Sequence, residues 1–504
     1  MKTLLETATF GGTDADTDDL LDQAFQSHEA YTEAIGHRRP LVIGRKGSGK
    51  TAIFRKIIRT RDHNVFAFGH TFADYPWHHH HLQGGLGVPE EQRFVHSWRY
   101  LILLTLAKIL LNQDQSQPWS EDSVDALETL EKFVVDSYGS RNPDVTQLFT
   151  PGKKLRVKPH LKIASAVELG IDLESVPVSE LPKLFQEVNR SIADAVSVCL
   201  NSEHQYYVCF DELDKGFDPT DPKYAQMLIG LILAASSLNS IFRQTNKRTS
   251  VVLCLRDDIY QLLQFEDKNK LTENVLSLIE WDSPRIKWTL QSLLERRFGV
   301  ALNESEPVAW SQVFDETQEM PGRQSKYRHI LDRTFRRPRD AIKFSNEILR
   351  AYKARGGSED GKFDNEDITE ARTRYSEYLL KELEDEIFKH VPAYRDYLDI
   401  LKSLEALQFS KDEFQQACVR RSDLISAEVM PSSILRQLFE FSVIGYQRTG
   451  GLGGGSEYVW RYLDPTIRFD DAAINFRVHP GLMESLGLKK FRKSEPAVDG
   501  KSEG

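Results

Sequence analysis

Residues 44–51 have residue types and spacing that suit phosphate binding. They read Gly-Arg-Lys-Gly-Ser-Gly-Lys-Thr, the pattern Gly-x4-Gly-Lys-Thr, after the apolar run 41–43 and before the helix-like stretch 52–58. In such a turn the backbone N–H groups can face a polyphosphate, and the positive end of the following helix adds to the attraction. A glycine-rich turn that carries a lysine by chance is the alternative. The spacing and both flanking elements favour a loop that binds a nucleoside triphosphate.

Each position of this pattern has an expected role in holding a magnesium–nucleotide complex. Lys50 would reach the β- and γ-phosphates, and Thr51 would bind Mg²⁺. The expected cofactors are therefore ATP and Mg²⁺. The other loop residues that would surround the phosphates are Gly44, Gly47, Ser48 and Gly49.

A pair of carboxylates, Asp211 and Glu212, directly follows the apolar run 206–210. A buried parallel strand is a continuous apolar run of this kind, so both carboxylates are expected at its carboxyl end. Asp211 could hold Mg²⁺, because hard cations bind oxygen ligands. Glu212 could orient the attacking water of phosphoryl transfer. Alone, the pair would fit an acidic loop after a strand, but together with the glycine-rich loop it predicts nucleotide hydrolysis.

Several arginines are candidates for contacting the γ-phosphate. Arg256 ends the apolar run 250–255, and its guanidinium suits either a phosphate or the neighbouring carboxylates. The alternative is a salt bridge that closes the end of the strand. Arg339 lies at the start of a predicted helix and could reach the nucleotide from a helical lid. Arg296 and Arg297 could complete the site of a neighbouring subunit as arginine fingers.

The elements that would position these residues are strands and helices in alternation. Apolar runs predict strands at 41–43, 64–68, 206–210 and 250–255, with a helix between the first two. This alternation predicts an α/β fold with a parallel sheet. The fold class we expect is a P-loop NTPase core of the ASCE type, in which a strand is inserted between the two motif-bearing strands, with a helical lid and a C-terminal winged-helix-like domain.

The chain divides into five predicted segments. Three helical patterns precede two strands around the glycine-rich stretch 450–455, as in a winged helix, which could read DNA or bind protein. Its candidate recognition helix carries Arg436 but little other basic charge. The segments are 1–39, an acidic helical segment packed on the core; 40–300, the ATPase core with an insertion at about 75–200; 301–375, the lid; 376–488, the winged-helix-like domain; and 489–504, a flexible tail.

Composition limits the class of protein. The chain has 504 residues, 40% of them hydrophobic, and a net charge of −10, which fits a soluble globular protein of about three domains. The negative charge argues against a chain that coats nucleic acid everywhere. No apolar stretch reaches the length of a membrane-spanning helix. The four cysteines show no metal-ligand spacing, so we expect a cytoplasmic protein without a membrane partner.

Two further features have open interpretations. The four histidines His78–His81 invite a metal site, but adjacent residues on an extended chain point to opposite faces, which favours a polar loop or contact surface. In residues 153–162 basic and apolar residues alternate. That stretch could contact a phosphate backbone or an acidic partner, or it could be a sheet edge protected by lysine.

Four motifs, in chain order, resemble those of bacterial P-loop ATPases at the border between the AAA+ and STAND groups. They are Gly-Arg-Lys-Gly-Ser-Gly-Lys-Thr, Cys-Phe-Asp-Glu-Leu-Asp, Leu-Arg-Asp-Asp-Ile-Tyr and Arg-Arg-Pro-Arg-Asp. Many such ATPases are similar to origin-recognition ATPases in having a helical lid and a winged helix, and many are encoded in antiphage or conflict loci. The resemblance covers about residues 10–485, and only the first two motifs are specific. The chain departs from the family in its long insertion and in having arginine, not asparagine or threonine, as first sensor.

The resemblance implies ATP-dependent switching, often with self-assembly. The roles carried over fall on Lys50, Thr51, Asp211, Glu212, Arg256 and Arg339. We therefore expect a Mg²⁺-dependent ATPase that acts as a switch or motor in bacterial antiphage defence, self-associates and controls a companion effector protein. One alternative is an ATP-dependent DNA-binding regulator that uses the winged helix or residues 153–162. The other is a scaffold that nucleotide stabilises without turnover.

Overall fold

The structure is a computed structural model that describes residues 2–72, 94–144, 181–216, 218, 221–283, 287–426, 428–450 and 455–490. Its contacts form two compact units. Unit A is Ser27–Ile279, and unit B combines Met1–Gln26 with Glu280–Gly504. His78–His81 and residues 153–162 lie outside the described residues, as do 451–454 of the glycine-rich stretch and 491–504 of the predicted tail.

The described strands form two sheets, one in each unit. Apolar runs give the longer strands, because a strand buried on both faces needs apolar residues at successive positions. The strands are β1 Leu41–Gly44, β2 Val65–Thr71, β3 Gln205–Asp211, β4 Thr249–Arg256, β5 Leu276–Leu278, β6 Gln408–Ser410, β7 Ile444–Arg448, β8 Glu457–Val459 and β9 Asn475–Val478.

Helices account for most of the remaining described elements. In chain order they are α1 Lys2–Thr7, α2 Glu29–Ile35, α3 Lys50–Arg59, α4 Val95–Asn112, α5 Glu121–Tyr138, α6 Leu181–Cys199, α7 Pro222–Gln244, α8 Asp257–Leu262, α9 Lys268–Val275, α10 Leu290–Ala301, α11 Trp310–Val313, α12 Lys326–Leu331, α13 Pro338–Ala354, α14 Asn365–Ile387, α15 Tyr394–Ser403, α16 Lys411–Arg420 and α17 Pro431–Glu440. The protein is thus a mixed α/β structure.

Unit A is built on a five-stranded parallel sheet with the strand order β2-β3-β4-β1-β5. Strand β4 pairs with β1 on one side and with β3 on the other, so Leu41 lies opposite Leu253 and Val208 opposite Val251. All strands are parallel, so their carboxyl ends meet at one edge of the sheet. The order therefore brings the end of β4 between the ends of β1 and β3.

Two apolar helices, α4 and α7, pack with the sheet in unit A. Their packing includes a hydrogen bond of 2.8 Å from Trp98 Nε1 to the Met227 carbonyl. The Asn239 amide exchanges hydrogen bonds with the backbone of Val251 and so attaches α7 to β4. Helix α7 is long and apolar enough to cross a membrane by length and composition, but 61% of its most apolar window is buried inside the protein. That burial is typical of the core helix of a soluble protein.

Unit B contains the first residues of the chain as well as its C-terminal half, which differs from the predicted segments. Buried Asp18 forms an ion pair with buried Arg297, whose Nη1 also donates to the Phe10 carbonyl at 2.9 Å. The Phe10 ring lies 4.8 Å from that of Phe298. The acidic residues near the N-terminus therefore contact α10, a helix within the predicted 40–300 segment, and unit A ends at Ile279.

A buried ion-pair cluster joins α13 and α14 in unit B. Arg337 is only 1% exposed, and it contacts Asp340 at 2.8 Å and Glu386 at 2.5 Å. Burial by itself would lower the pKa of Arg337. The two carboxylates raise this pKa by a larger amount, so it lies well above the ordinary value for arginine. This arginine of the Arg-Arg-Pro-Arg-Asp motif therefore has a structural role.

The C-terminal part of unit B combines helices α15, α16 and α17 with a small sheet. The sheet has four strands in the order β6-β9-β7-β8, and each pairing is antiparallel. Strands β7 and β8 pair antiparallel, and the glycine-rich stretch lies between them in the sequence. On α17, Arg436 Nη2 contacts both carboxylate oxygens of exposed Asp471, at 2.7 and 2.9 Å. The basic residue of the candidate recognition helix is thus already paired.

Candidate functional site

The glycine-rich loop connects β1 to α3, and the helix begins at Lys50. Gly49 has φ of +112°, a left-handed conformation that L side chains rarely adopt. A Cβ atom at Gly44 would lie 2.4 Å from Ser48 Oγ, so a side chain at that position would have to displace the Ser48 hydroxyl. The backbone of the loop therefore depends on the glycines that the sequence pattern contains.

The Lys50 side chain lies inside this loop. It is 9% exposed, and its Nζ donates to the carbonyl oxygens of Gly44 at 2.8 Å and Arg45 at 2.9 Å. Burial lowers the pKa of Lys50, an effect that the carboxylates of Asp214 and Asp211 oppose. The loop thus holds a buried amino group at the end of β1.

Thr51 and Asp211 meet across the sheet edge. The Thr51 hydroxyl donates a hydrogen bond to the Asp211 carboxylate, which is 2% exposed at the end of β3. Burial raises the pKa of Asp211 to about 6, although the hydrogen bonds and Lys50 oppose the rise. Within the described ranges, Asp211 Oδ2 is buried and has no hydrogen-bond partner. A buried acceptor without a donor is costly, so this oxygen is suited to bind a cation.

These oxygen donors fit Mg²⁺ better than a metal held by protein ligands alone. No group of three or more His, Cys, Asp or Glu residues that could hold a metal occurs in the part of the chain that the structure describes. Mg²⁺ commonly uses one or two carboxylates together with water and substrate phosphates. The Asp211 carboxylate and the Thr51 hydroxyl supply such a partial set.

Glu212 follows Asp211 but adopts a different backbone conformation. Its φ of +59° is uncommon for a residue with a side chain, so the chain turns away sharply at the end of β3. Its Oε1 lies 2.6 Å from Lys215 Nζ. A strained residue of this kind often marks a functional site. The geometry is compatible with the predicted role of Glu212 and shows that the carboxylate is paired with a lysine.

Arg256 lies beside the loop, because its Cα is the register partner of Gly44 in the β1–β4 pairing. Its guanidinium contacts Asp258 through two hydrogen bonds, of 2.6 and 3.0 Å, and Asp214 at 3.4 Å. The salt bridge that the sequence left open as an alternative is therefore present. Arg256 combines that salt bridge with the position expected for a phosphate sensor.

Two aspartates add to the site that the sequence motifs outlined. Asp214, three residues after Asp211, influences the Lys50 pKa and contacts Arg256. Burial raises the pKa of Asp257, at the start of α8, against the opposing charge of Arg45. Both were visible in the motifs as additional carboxylates, but their proximity to the loop depends on which strands are neighbours.

The remaining predicted arginines belong to unit B. Arg339 Nη1 donates to Glu382 Oε2 at 3.1 Å, and its Nε donates to the Thr13 carbonyl at 3.3 Å. Arg297 is buried against Asp18, so it is used within its own subunit. Arg296 Nε donates to Gln26 Oε1 at 3.2 Å. These contacts all lie within unit B, and the lid role of Arg339 stays a prediction.

Comparison with known proteins gives two similarities. Residues 289–384 match the family described as FunZ-associated C-terminal helical domain, a stretch that lies within unit B and ends in α14. The chain is also similar to the transposon gamma-delta 80.3 kDa protein of Escherichia coli (strain K12), with 23% identity over 354 residues. This alignment covers 68% of the chain and 46% of the relative. The chain thus corresponds to less than half of that protein.

Proposed function

We propose that this chain is a Mg²⁺-dependent ATPase with a P-loop core of the ASCE type. One observation carries the proposal: Lys50, Thr51 and Asp211 converge at the carboxyl edge of the sheet, where Thr51 donates a hydrogen bond to Asp211. The strand order supports it, because β4 lies between β1 and β3 and ends in Arg256. Ligands of open α/β sheets bind at the carboxyl ends of the strands.

Each group has a role in this proposal. Lys50 would exchange its two carbonyl contacts for phosphate oxygens, and the loop N–H groups would hold the rest of the triphosphate. Thr51 and Asp211 would hold Mg²⁺, which neutralises charge that develops on the transferred phosphoryl group. Glu212 would leave Lys215 and orient the attacking water. Arg256 would exchange a carboxylate for the γ-phosphate and so report nucleotide state to Asp258 and Asp214.

The test compares two variants with a matched control. Lys50→Ala should lose Mg²⁺-dependent phosphate release by about a hundredfold or more, because it removes a donor aimed at transition-state charge. Glu212→Gln should still bind ATP but retain it without turnover. Lys46→Ala removes the same charge from the same loop, but at one of the four variable positions of the Gly-x4-Gly-Lys-Thr pattern, and should hydrolyse ATP near the wild-type rate. Normal turnover in both Lys50→Ala and Glu212→Gln would refute the site assignment.

We extend the proposal to a nucleotide-driven switch or motor in the cytoplasm that self-associates and controls a companion effector. Unit B would supply the helical lid and, in α15–α17 with β6–β9, the winged-helix-like domain. The description of the relative as a transposon protein supports a connection with mobile genetic elements, and the proposed antiphage role rests on the motif resemblance. Measuring the mass of the chain in solution with and without ATP tests the switch, since a larger species with ATP is expected.

A further inference from the structure

Unit B contains a cavity of about 620 Å³ that is distinct from the residues proposed to bind ATP. It lies among α12 with its flanking turns, α14, and the sheet strands β8 and β9. We call it the basic cleft, because six cationic side chains line it: Arg328, Arg333, Arg336, Arg372, Arg477 and Lys490. Arg328 and Lys490 are exposed, so the cleft is accessible at its rim.

Acidic side chains only partly balance these cations. Two acidic residues, Asp332 and Glu457, also line the cleft. Glu484 contacts Arg333 at 2.9 Å and Arg372 at 3.6 Å. Among the residues that the structure describes, six cations and two carboxylates line the cleft and Glu484 contacts two of those cations, in a chain whose net charge is −10. Charge of one sign concentrated in a concave surface attracts ligands of the opposite sign.

Two guanidinium groups in the cleft have buried nitrogen atoms without a partner. The Nε atoms of Arg336 and Arg477 are buried and make no hydrogen bond to any residue that the structure describes. Arg336 uses Nη1 to donate to the Asp282 carbonyl at 3.0 Å, and the Arg477 guanidinium lies 5.7 Å from the centre of the Tyr458 ring. A buried donor without an acceptor is unfavourable. An anionic ligand would supply the acceptors.

The electrostatic environment of His329 supports the same interpretation. Burial and, to a smaller extent, the charges of Arg333, Arg372 and Lys490 together lower the pKa of this cleft residue to about 3. His329 is therefore neutral at physiological pH, and the positive potential comes from the arginines and the lysine.

Aromatic side chains flank the cationic groups. Tyr458, Trp460 and Tyr462 line the same cleft. Trp460 is buried, whereas Tyr458 and Tyr462 are half-buried; the Tyr462 ring also makes edge-to-face contacts with Phe335 and His479. Aromatic rings next to cationic groups are the combination that binds single-stranded nucleic acid, since bases stack on the rings while phosphates contact the cations. An acidic peptide would use the cations but not the ring faces.

We propose that the basic cleft binds single-stranded nucleic acid, with phosphates on Arg336, Arg477 and Lys490 and bases on Tyr458 and Tyr462. Its volume is that of a small-ligand pocket, which suits a few unstacked nucleotides and excludes a duplex. This site differs from the α17 surface, where Arg436 is paired with Asp471. The inference goes beyond ATP hydrolysis and does not depend on it.

Fluorescence anisotropy with the full-length chain and a labelled oligothymidylate of about 12 nucleotides tests the site, since single-strand binders cover lengths of this order. Tyr458→Ala and Arg477→Ala should each weaken binding by about tenfold. Arg477→Ala should also reduce the slope of log affinity against log salt by about 0.7, the value for one phosphate contact, whereas Tyr458→Ala should not change it. Arg436→Ala is the control, because Arg436 lies outside the cleft, and it should bind like the wild type.

Four results would overturn the proposal. They are no binding at low salt, loss of binding with Arg436→Ala but not with the cleft variants, tighter binding of a duplex of the same length, and displacement of the oligonucleotide by an equal concentration of polyglutamate. Thymidine monophosphate should compete only at much higher concentration; equal competition would indicate a mononucleotide site and is a fifth result that would overturn the proposal. If Arg477→Ala fails to fold by circular dichroism, Lys490→Ala and Tyr458→Ala decide, because Lys490 is exposed and Tyr458 lies on the short strand β8.

Discussion

Replacing Asp211 with Asn should stabilise the ligand-free protein while abolishing its binding of magnesium and ATP. Burial raises the pKa of Asp211 from 3.8 to about 6. Above pH 6 the folded protein therefore holds an ionised carboxylate in a buried environment that favours the protonated form. A rise of roughly two pKa units corresponds to about 3 kcal/mol. Asn keeps the oxygen that accepts from Thr51 but carries no charge, so the variant avoids this cost.

The stabilisation by Asp211→Asn should depend on pH. Between pH 3.8 and about 6 the folded state binds more protons at Asp211 than the unfolded state does, so this residue makes unfolding easier as pH rises through that range. Below that range both states are protonated and the effect vanishes. The stabilisation by Asp211→Asn should therefore be largest, about 2 to 3 kcal/mol, at pH 8 and small near pH 4.

Urea denaturation of wild type and variant at both pH values measures the difference. Trp98, fully buried in unit A, provides a fluorescence signal for that unit. Glu203→Gln removes an exposed carboxylate from the same unit and should leave stability nearly unchanged at both pH values. With Mg²⁺ and ATP the order should reverse, because the ligand stabilises only the wild type. A variant that is less stable than wild type at pH 8 without ligand would refute the reasoning.

Two further substitutions separate nucleotide chemistry from fold stability. Arg256→Ala should bind ATP with near wild-type affinity but release phosphate about a hundredfold more slowly. The control Arg243→Ala, at the end of α7, should release phosphate at the wild-type rate. If Arg256→Ala loses ATP binding and turnover equally, the Arg256 salt bridge is purely structural. Arg337→Ala leaves Asp340 and Glu386 buried without a cation and should lower the free energy of unfolding by about 3 to 5 kcal/mol. Circular dichroism melts would show this loss, and an unchanged melting temperature would contradict the assigned structural role.

The sequence by itself was sufficient for the local features of the site. The apolar runs predicted β1, β2, β3 and β4 to within a few residues, because a buried parallel strand requires successive apolar side chains. The spacing of the glycines predicted the turn between β1 and α3, since hydrogen bonds and dihedral angles within eight residues determine it. Strand β5 was missed, because three residues are too few to show a pattern.

Only the tertiary structure decided which distant groups are neighbours. The position of β4 between β1 and β3, which we expected only from the ASCE fold class and not from any local pattern, brings Arg256 beside Gly44. Residues 1–26 belong to unit B, where Asp18 forms an ion pair with Arg297. The sequence had suggested Arg297 as an arginine finger for the site of a neighbouring subunit. The cationic side chains of the basic cleft come from positions as far apart in the sequence as Arg328 and Lys490. Such contacts depend on the burial and pairing of whole elements, which residue spacing alone does not encode.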